Sequence, residues 1–156
     1  MSFTAEHAES AEIIKNLITA EYAETAEMND NDKINEITEQ IIGSAIDVHR
    51  TLGPGLLESA YEACLAFELI SRGLKLEQQK ALPVVYRDMK LDCGYRLDLV
   101  VENAVVIELK AVEHLLSIHR AQLISYLKLT GLKVGLLINF HTKILKNGIV
   151  RLVNNF

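Results

Sequence analysis

An aspartate, a glutamate and a lysine interrupt an apolar stretch in the second half of the chain: Asp98, Glu108 and Lys110. Burying a carboxylate costs free energy unless a cation, a metal ion or a full set of hydrogen bonds compensates its charge. Two carboxylates could hold a divalent cation while the lysine steers a water molecule or stabilises a developing anion, which is how a metal-dependent phosphodiesterase site is built. The alternative for the same residues is a structural ion-pair cluster.

The residues around these three side chains predict two β-strands, 95–101 and 104–111, joined by a short turn at Glu102 and Asn103. Both strands are nearly continuous in Leu, Val and Ile, a pattern typical of strands buried on both faces of a sheet. Side chains two residues apart project to the same face of a strand. The glutamate and the lysine of the second strand are spaced in this way.

The length of the turn decides whether the two acids can share a site. A two-residue turn would place Asp98 and Glu108 on opposite faces of the sheet, because side chains alternate along a strand. A shared site requires Val101 opposite Val105. We therefore predict a three-residue loop around Asn103 with a residue in the left-handed conformation, or else a bulge.

The composition is that of one globular domain with an acidic extension. The chain has 156 residues, is 49% hydrophobic and carries a net charge of −5. Residues 1–32 hold eight acids and one lysine, a net charge of −7, and residues 33–156 hold thirteen acids and fifteen bases, a net charge of +2. A nearly neutral body does not bind a polyanion tightly by charge alone, so a basic surface on it would have to be local.

Residues 1–32 are expected to form an acidic N-terminal extension. Five apolar side chains at helical spacing are compatible with an amphipathic helix there: Ile13, Ile14, Leu17, Ile18 and Tyr22. The Asn- and Asp-rich run Met28–Asp32 predicts a break before the next helix. We expect a cytoplasmic protein without a membrane partner, because no apolar run approaches the ~20 residues of a membrane span and no signal-peptide pattern opens the chain.

The remainder predicts an α/β domain. Its elements are expected in the order helix, helix, four strands, helix and two strands, which is a mixed β-sheet flanked by helices. Gly53–Gly55 separates the first two helices. Residues 144–153, with a turn at Lys146–Gly148, predict a terminal hairpin.

Two of these helices carry polar residues on a shared face. Glu58 and Tyr61 are three residues apart, and Gln122 and Tyr126 are four apart. Judged alone, the glutamate could serve only the helix dipole, the glutamine could be a surface amide, and the second tyrosine could be the edge of an amphipathic core.

Three sequence motifs in combination indicate a protein family more specifically than each motif alone. Gly55–Tyr61 spells GxxExxY, and it precedes the D…ExK hairpin and a QLxxYL helix. From about Asn35 to Val153 the chain resembles the GxxExxY protein family, a branch of the PD-(D/E)XK nuclease superfamily related to RecB-like nucleases. The resemblance implies a restriction-endonuclease-like domain over residues 33–156.

The resemblance also implies roles for seven residues. The metal ligands would be the carboxylates of Asp98, Glu108 and Glu58. The backbone carbonyl of Leu109 would be a further ligand. The catalytic residues would be Lys110, Glu58 and Gln122. The residues in contact with substrate would be Gln122, Tyr126 and Tyr61. The expected ion is Mg²⁺ or Mn²⁺, because the cluster offers oxygen ligands and no thiolate or histidine pair that would favour zinc.

The expected function is a metal-dependent phosphodiesterase acting on nucleic acid, with DNA as the expected substrate. One alternative is a non-catalytic nucleic-acid- or protein-binding module that retains the fold. Another is a hydrolase of nucleotides or other phosphate esters that uses the same residues. The sequence leaves open the oligomeric state, including a homo-oligomer, and the choice between DNA and RNA.

Overall fold

The computed structural model describes residues 3–155, and the side chains of residues 8–23 and 29–155 among them. The chain divides into two compact units, Met1–Asn35 and Glu36–Phe156. Within the described residues, no helix combines the length and the apolar character needed to cross a bilayer.

Three α-helices and seven β-strands make up the described residues. The helices are α1 (Phe3–Leu52), α2 (Glu58–Ser71) and α3 (Ser117–Thr130). The strands are β1 (Leu76–Ala81), β2 (Val84–Tyr86), β3 (Met89–Leu91), β4 (Arg96–Val101), β5 (Val105–Lys110), β6 (Val134–Asn139) and β7 (Ile149–Val153).

The five-stranded sheet has the order β1-β4-β5-β6-β7. Its pairs are antiparallel except β5 and β6, which are parallel and connected through α3. The strands β2 and β3 form a separate two-stranded ladder. The predicted α/β class, a mixed sheet flanked by helices, is confirmed.

Helices cover both faces of the sheet. On one face, Leu123 and Leu127 of α3 pack with Val100, Val106 and Leu137 of the central strands. The helix α2 packs against β1, β4 and β5, and one of its side chains stacks on the aromatic ring that follows β6. This double burial explains why Val, Leu and Ile are the most frequent residues of β5 and β6.

The helix α1 lacks the break that the run Met28–Asp32 predicts, because it continues as one helix from Phe3 to Leu52. Asn and Asp inside a helix each cost less than ~1 kcal/mol relative to Ala, and no Gly or Pro precedes Gly43. The local cost is therefore too small to end the helix. In its N-terminal part five apolar side chains are exposed: Ile13, Ile14, Leu17, Ile18 and Tyr22.

The end of the chain also differs from the sequence-based expectation. Residues Leu145–Gly148 form a 3₁₀ turn, and the following strand β7 pairs with β6. The predicted terminal hairpin is wrong. The strand β6 is buried at every position, and pairing with β7 satisfies the backbone groups along its second edge, which a small separate hairpin would leave open.

The β4–β5 connection has the predicted length. Val101 pairs with Val105, and the loop between them has positive φ at Glu102 (52°) and Asn103 (49°). The Ala104 N–H donates to the Val101 carbonyl at 3.0 Å. The prediction of a three-residue loop with left-handed residues is confirmed.

Glu102 also holds this loop to the start of β1. The Lys75 N–H donates to Glu102 Oε1 at 2.7 Å, and the Glu102 N–H donates to the Lys75 carbonyl at 2.8 Å. Because both strands of the hairpin are apolar on both faces, the alternation of side chains selects the register only weakly. The two bonds to Glu102 extend the β1–β4 register by one pair and hold the first residue of the loop in place.

A substitution at Asn103 tests this loop. A β-branched residue is strongly disfavoured at positive φ, whereas glycine adopts it freely. Asn103→Val should therefore lower the free energy of unfolding by about 1–2 kcal/mol in urea denaturation. Asn103→Gly is the control and should equal or exceed the parent. Equal stability of the valine variant and the parent would contradict the loop conformation.

Candidate active site

The two acids of the hairpin meet where the β4–β5 ladder ends. Regular pairing extends to Leu99 opposite Ile107, and beyond it the carboxylates accept the backbone N–H groups. The Asp98 N–H donates to Glu108 Oε1 at 3.3 Å, and the Leu109 N–H donates to Asp98 Oδ2 at 2.8 Å. The structure thus brings Asp98 and Glu108 together.

Burial and the charge of Asp98 both disfavour the ionised form of Glu108. Glu108 is only 6% exposed, and this burial, reinforced by the charge of Asp98, raises its pKa from 4.5 to about 8. The Asp98 N–H and the positive charge of Lys110 lower the pKa by less than burial and Asp98 raise it. A proton or a cation would relieve the repulsion between the two carboxylates.

Lys110 is the last residue of β5, two positions after Glu108 and on the same face. Its side chain is half-buried. No carboxylate among the described side chains lies within ion-pair distance of its ammonium group. The Lys110 charge therefore acts on Glu108 from a distance and is free to meet an anionic ligand.

Asn139 fixes the backbone that follows Lys110. It lies opposite Lys110 in the parallel register and is 2% exposed. Its Nδ2 donates to the Val112 carbonyl at 2.8 Å, and its Oδ1 accepts the Val112 N–H at 3.1 Å. Asn139 was not predicted from the sequence, although a polar amide at the end of an otherwise apolar strand could have indicated it.

Glu58 reaches the same strand end from α2. It is the first residue of that helix, is exposed, and its Oε1 accepts the Ala111 N–H at 3.2 Å. It bonds to the backbone directly after Lys110 and to neither acid of the hairpin. Accordingly, among the described side chains no three acids, histidines or cysteines form a ready metal cage.

Tyr61 lies beneath the turn that starts α2. Its ring has no exposed surface and stacks on Phe140 with centroids 4.4 Å apart. Its hydroxyl donates to the Gly53 carbonyl and accepts the Leu56 N–H at 3.1 Å. Tyr61 therefore has no exposed surface with which to contact a substrate. Its hydroxyl instead stabilises the turn that precedes Glu58.

Gln122 and Tyr126 border the acids from α3. Tyr126 is 6% exposed. Burial and then the negative charge of Glu108 raise its pKa, while a hydrogen bond from Gln122 acts in the opposite direction. Both residues line a cleft of about 580 Å³ together with Tyr95 and His119. Gln122 and Tyr126 therefore lie at this cleft, and the charges of Glu108 and Asp98 reach Tyr126.

Two further residues at the site were missed from the sequence. Gln79 Nε2 donates to Asp98 Oδ1 at 3.3 Å and to both carboxylate oxygens of Glu62 at 3.0 and 2.9 Å. Glu62 lies one helical turn after Glu58, a spacing that could have indicated it. No local pattern marks Gln79, because its contact with Asp98 follows only from the pairing of β1 with β4.

The raised pKa of Glu108 predicts how the stability of the metal-free protein depends on pH. The folded state keeps the proton that the unfolded state releases above pH 4.5, so stability should fall as the pH rises toward about 8. Glu108→Gln removes this titration and should raise the free energy of unfolding at pH 8 by roughly 2–4 kcal/mol. Denaturation curves at pH 5, 6.5 and 8 measure both effects.

The exposed residue Glu113 provides a matched control, because Glu113→Gln makes the same chemical change without relieving burial. It should reproduce the parent at each pH. Identical slopes for the parent and Glu108→Gln would show that Glu108 is not the destabilising group.

Comparison with protein families identifies the family of the chain. The family model of the PD-(D/E)XK nuclease superfamily matches residues 35–152, more than half of the chain, and this range includes the positions of the seven expected site residues. Comparison with the curated proteins found no match, and neither did comparison with the solved structures. The five-stranded mixed sheet with flanking helices is restriction-endonuclease-like. The chain belongs to the PD-(D/E)XK nuclease superfamily.

Proposed function

We propose that this nuclease domain is a working, metal-dependent enzyme that hydrolyses phosphodiester bonds in DNA, and that it belongs to the GxxExxY branch related to RecB-like nucleases. The observation that carries the proposal is the hydrogen bond from the Asp98 N–H to Glu108, which sets two acidic residues side by side with one of them almost fully buried. Such a pair is costly for folding alone and is suited to a cation. The run Gly55–Tyr61 supports the assignment to that branch.

The donor set fits Mg²⁺ or Mn²⁺. Asp98 and Glu108 offer carboxylate oxygens, to which the Leu109 carbonyl can add a third. Each carboxylate oxygen has more than one lone pair, so the hydrogen bonds from the backbone leave acceptor capacity for an ion. A bound divalent ion would neutralise charge on the phosphate and lower the pKa of a water molecule.

Lys110 and Glu58 are the residues that we propose to act on the attacking water. The ammonium group of Lys110 shares a face with Glu108 and has no ion-pair partner among the described carboxylates. It can therefore stabilise the phosphate or orient the water. Glu58 presents an exposed carboxylate one residue beyond it, where it can hold a water molecule or complete the metal site.

Gln122 and Tyr126 are the residues we propose to contact the substrate, because they line a cleft and Tyr126 is close enough to feel the charges of Glu108 and Asp98. Tyr61 acts from the core by fixing the turn before Glu58. DNA is the proposed polymer on the strength of the restriction-endonuclease-like architecture, which is an argument by analogy of fold. With a net charge of +2 on residues 33–156, substrate binding should depend on the ion as well as on basic side chains.

Thermal melting tests the metal site. Mn²⁺ at 100 times its Kd should raise the free energy of unfolding by about 2.7 kcal/mol, since it binds only the folded state. Asp98→Asn and Glu108→Gln should lose most of this gain, whereas Lys110→Ala should keep it. Lys143→Ala, on the exposed segment after β6, is the control and should behave as the parent. A parent that does not respond to Mn²⁺ or Mg²⁺ would end the proposal.

Cleavage assays test the reaction. With Mn²⁺, the parent should degrade a DNA oligonucleotide, and Lys110→Ala should be slower by about 100-fold or more while still binding the ion. RNA and a small phosphate diester serve as parallel substrates. Cleavage of RNA but not DNA would refute the proposed polymer. Turnover of only the small ester would indicate a phosphate-ester hydrolase, and metal binding without any turnover would indicate a binding module.

A further inference from the structure

Gln79 has an unusual backbone for a residue in the middle of a strand. Its φ is +49°, a value that side-chain-bearing residues avoid inside β-strands. The pairs on either side of it in the β1–β4 ladder, Gln78 with Leu99 and Lys80 with Leu97, are regular. The departure is thus confined to the one residue that lies directly opposite Asp98.

The contacts of the Gln79 side chain explain what this conformation achieves. Nε2 lies 2.9 and 3.0 Å from the two carboxylate oxygens of Glu62 and 3.3 Å from Asp98 Oδ1. Carboxylates only accept hydrogen bonds, so the nitrogen of the amide must face them. A neutral donor therefore bridges two acids, one on a helix and one on a strand.

Burial of the side chain does not account for the strain, because Gln79 is exposed. Strained backbone conformations persist where the surrounding structure enforces them, and they concentrate at functional sites. The bridge gives Asp98 a second donor in addition to the Leu109 N–H on its other oxygen. With one donor on each oxygen, the carboxylate has a fixed orientation and free lone pairs.

We propose that Gln79 is a positioning residue that holds the Asp98 carboxylate in the orientation needed for the cation, and that Glu62 anchors Gln79 from α2. The inference rests on the proposed function, since it concerns the same metal site. Partners that orient a metal ligand through a hydrogen bond commonly change metal affinity by 10–100-fold when removed. Glu62 bonds with both carboxylate oxygens to the Gln79 amide, so its effect on Asp98 passes through that amide.

Gln79→Gly separates positioning from stability. Glycine adopts positive φ without strain, so the full-length variant should melt at or above the temperature of the parent. It lacks the amide, so its affinity for Mn²⁺, measured by titration calorimetry, should be about tenfold weaker. Gln78→Gly is the matched control one residue away in the same exposed strand. It should lose stability, because glycine weakens a regular strand, and should keep the affinity of the parent.

Glu62→Ala tests the anchor. It should weaken Mn²⁺ binding less than Gln79→Gly does, and adding it to Gln79→Gly should cause no further loss, because its effect passes through the amide. A further loss in the double variant would show that Glu62 contacts the ion and would overturn the anchor role.

The results distinguish two failures. If the parent binds Mn²⁺ and Gln79→Gly binds it equally well, the positioning role is wrong and the proposed function stands. If Gln79→Gly lowers the melting temperature and leaves the affinity unchanged, the bridge is purely structural. If the parent takes up no Mn²⁺, the proposed function fails and this inference fails with it.

Discussion

Electrostatic repulsion between Asp98 and Glu108 is the constraint on which the site depends. The structure holds the Glu108 carboxylate against the backbone N–H of Asp98, and burial and the charge of Asp98 both oppose the charge of Glu108. What maintains the contact is the rigidity of the surrounding sheet, because β5 and β6 are buried at almost every position and cannot separate without exposing the core. The hydrophobic core thus stabilises an arrangement that the acids alone would not adopt.

The sheet and the hairpin acids were predictable because their signals are local or depend on simple geometry. Continuous apolar runs indicated central strands, and the alternation of side chains required Val101 opposite Val105 for a shared site, as the structure has it. The prediction of a helix break at Met28–Asp32 is wrong because a run of weak helix formers does not lower helical stability enough to end the helix. The prediction of a terminal hairpin is wrong because β7 pairs with the open edge of β6. This pairing is a tertiary contact that a local sequence pattern does not encode.

The site was less predictable than the fold. Glu58 and Tyr61 were predicted to share a face of α2, but Glu58 points to solvent and Tyr61 points into the core. A separation of three residues is less than one full helical turn, so the two side chains differ in direction. Gln79 could not be identified at all. Its role follows from the pairing of two strands and from an uncommon backbone angle, and neither is encoded in a short motif.

The bonds between Glu102 and Lys75 have a consequence for the order of folding. The hairpin has a competing register in which a tighter turn would send its two acids to opposite faces, and its apolar strands discriminate poorly between the two. The contact that holds the first residue of the loop joins residues 27 positions apart, and closing a chain segment of that length costs more entropy than forming the hairpin itself. Collapse can therefore precede the correct pairing of the acids, and the assembled pair of Asp98 and Glu108 should be among the last features that the folding chain acquires.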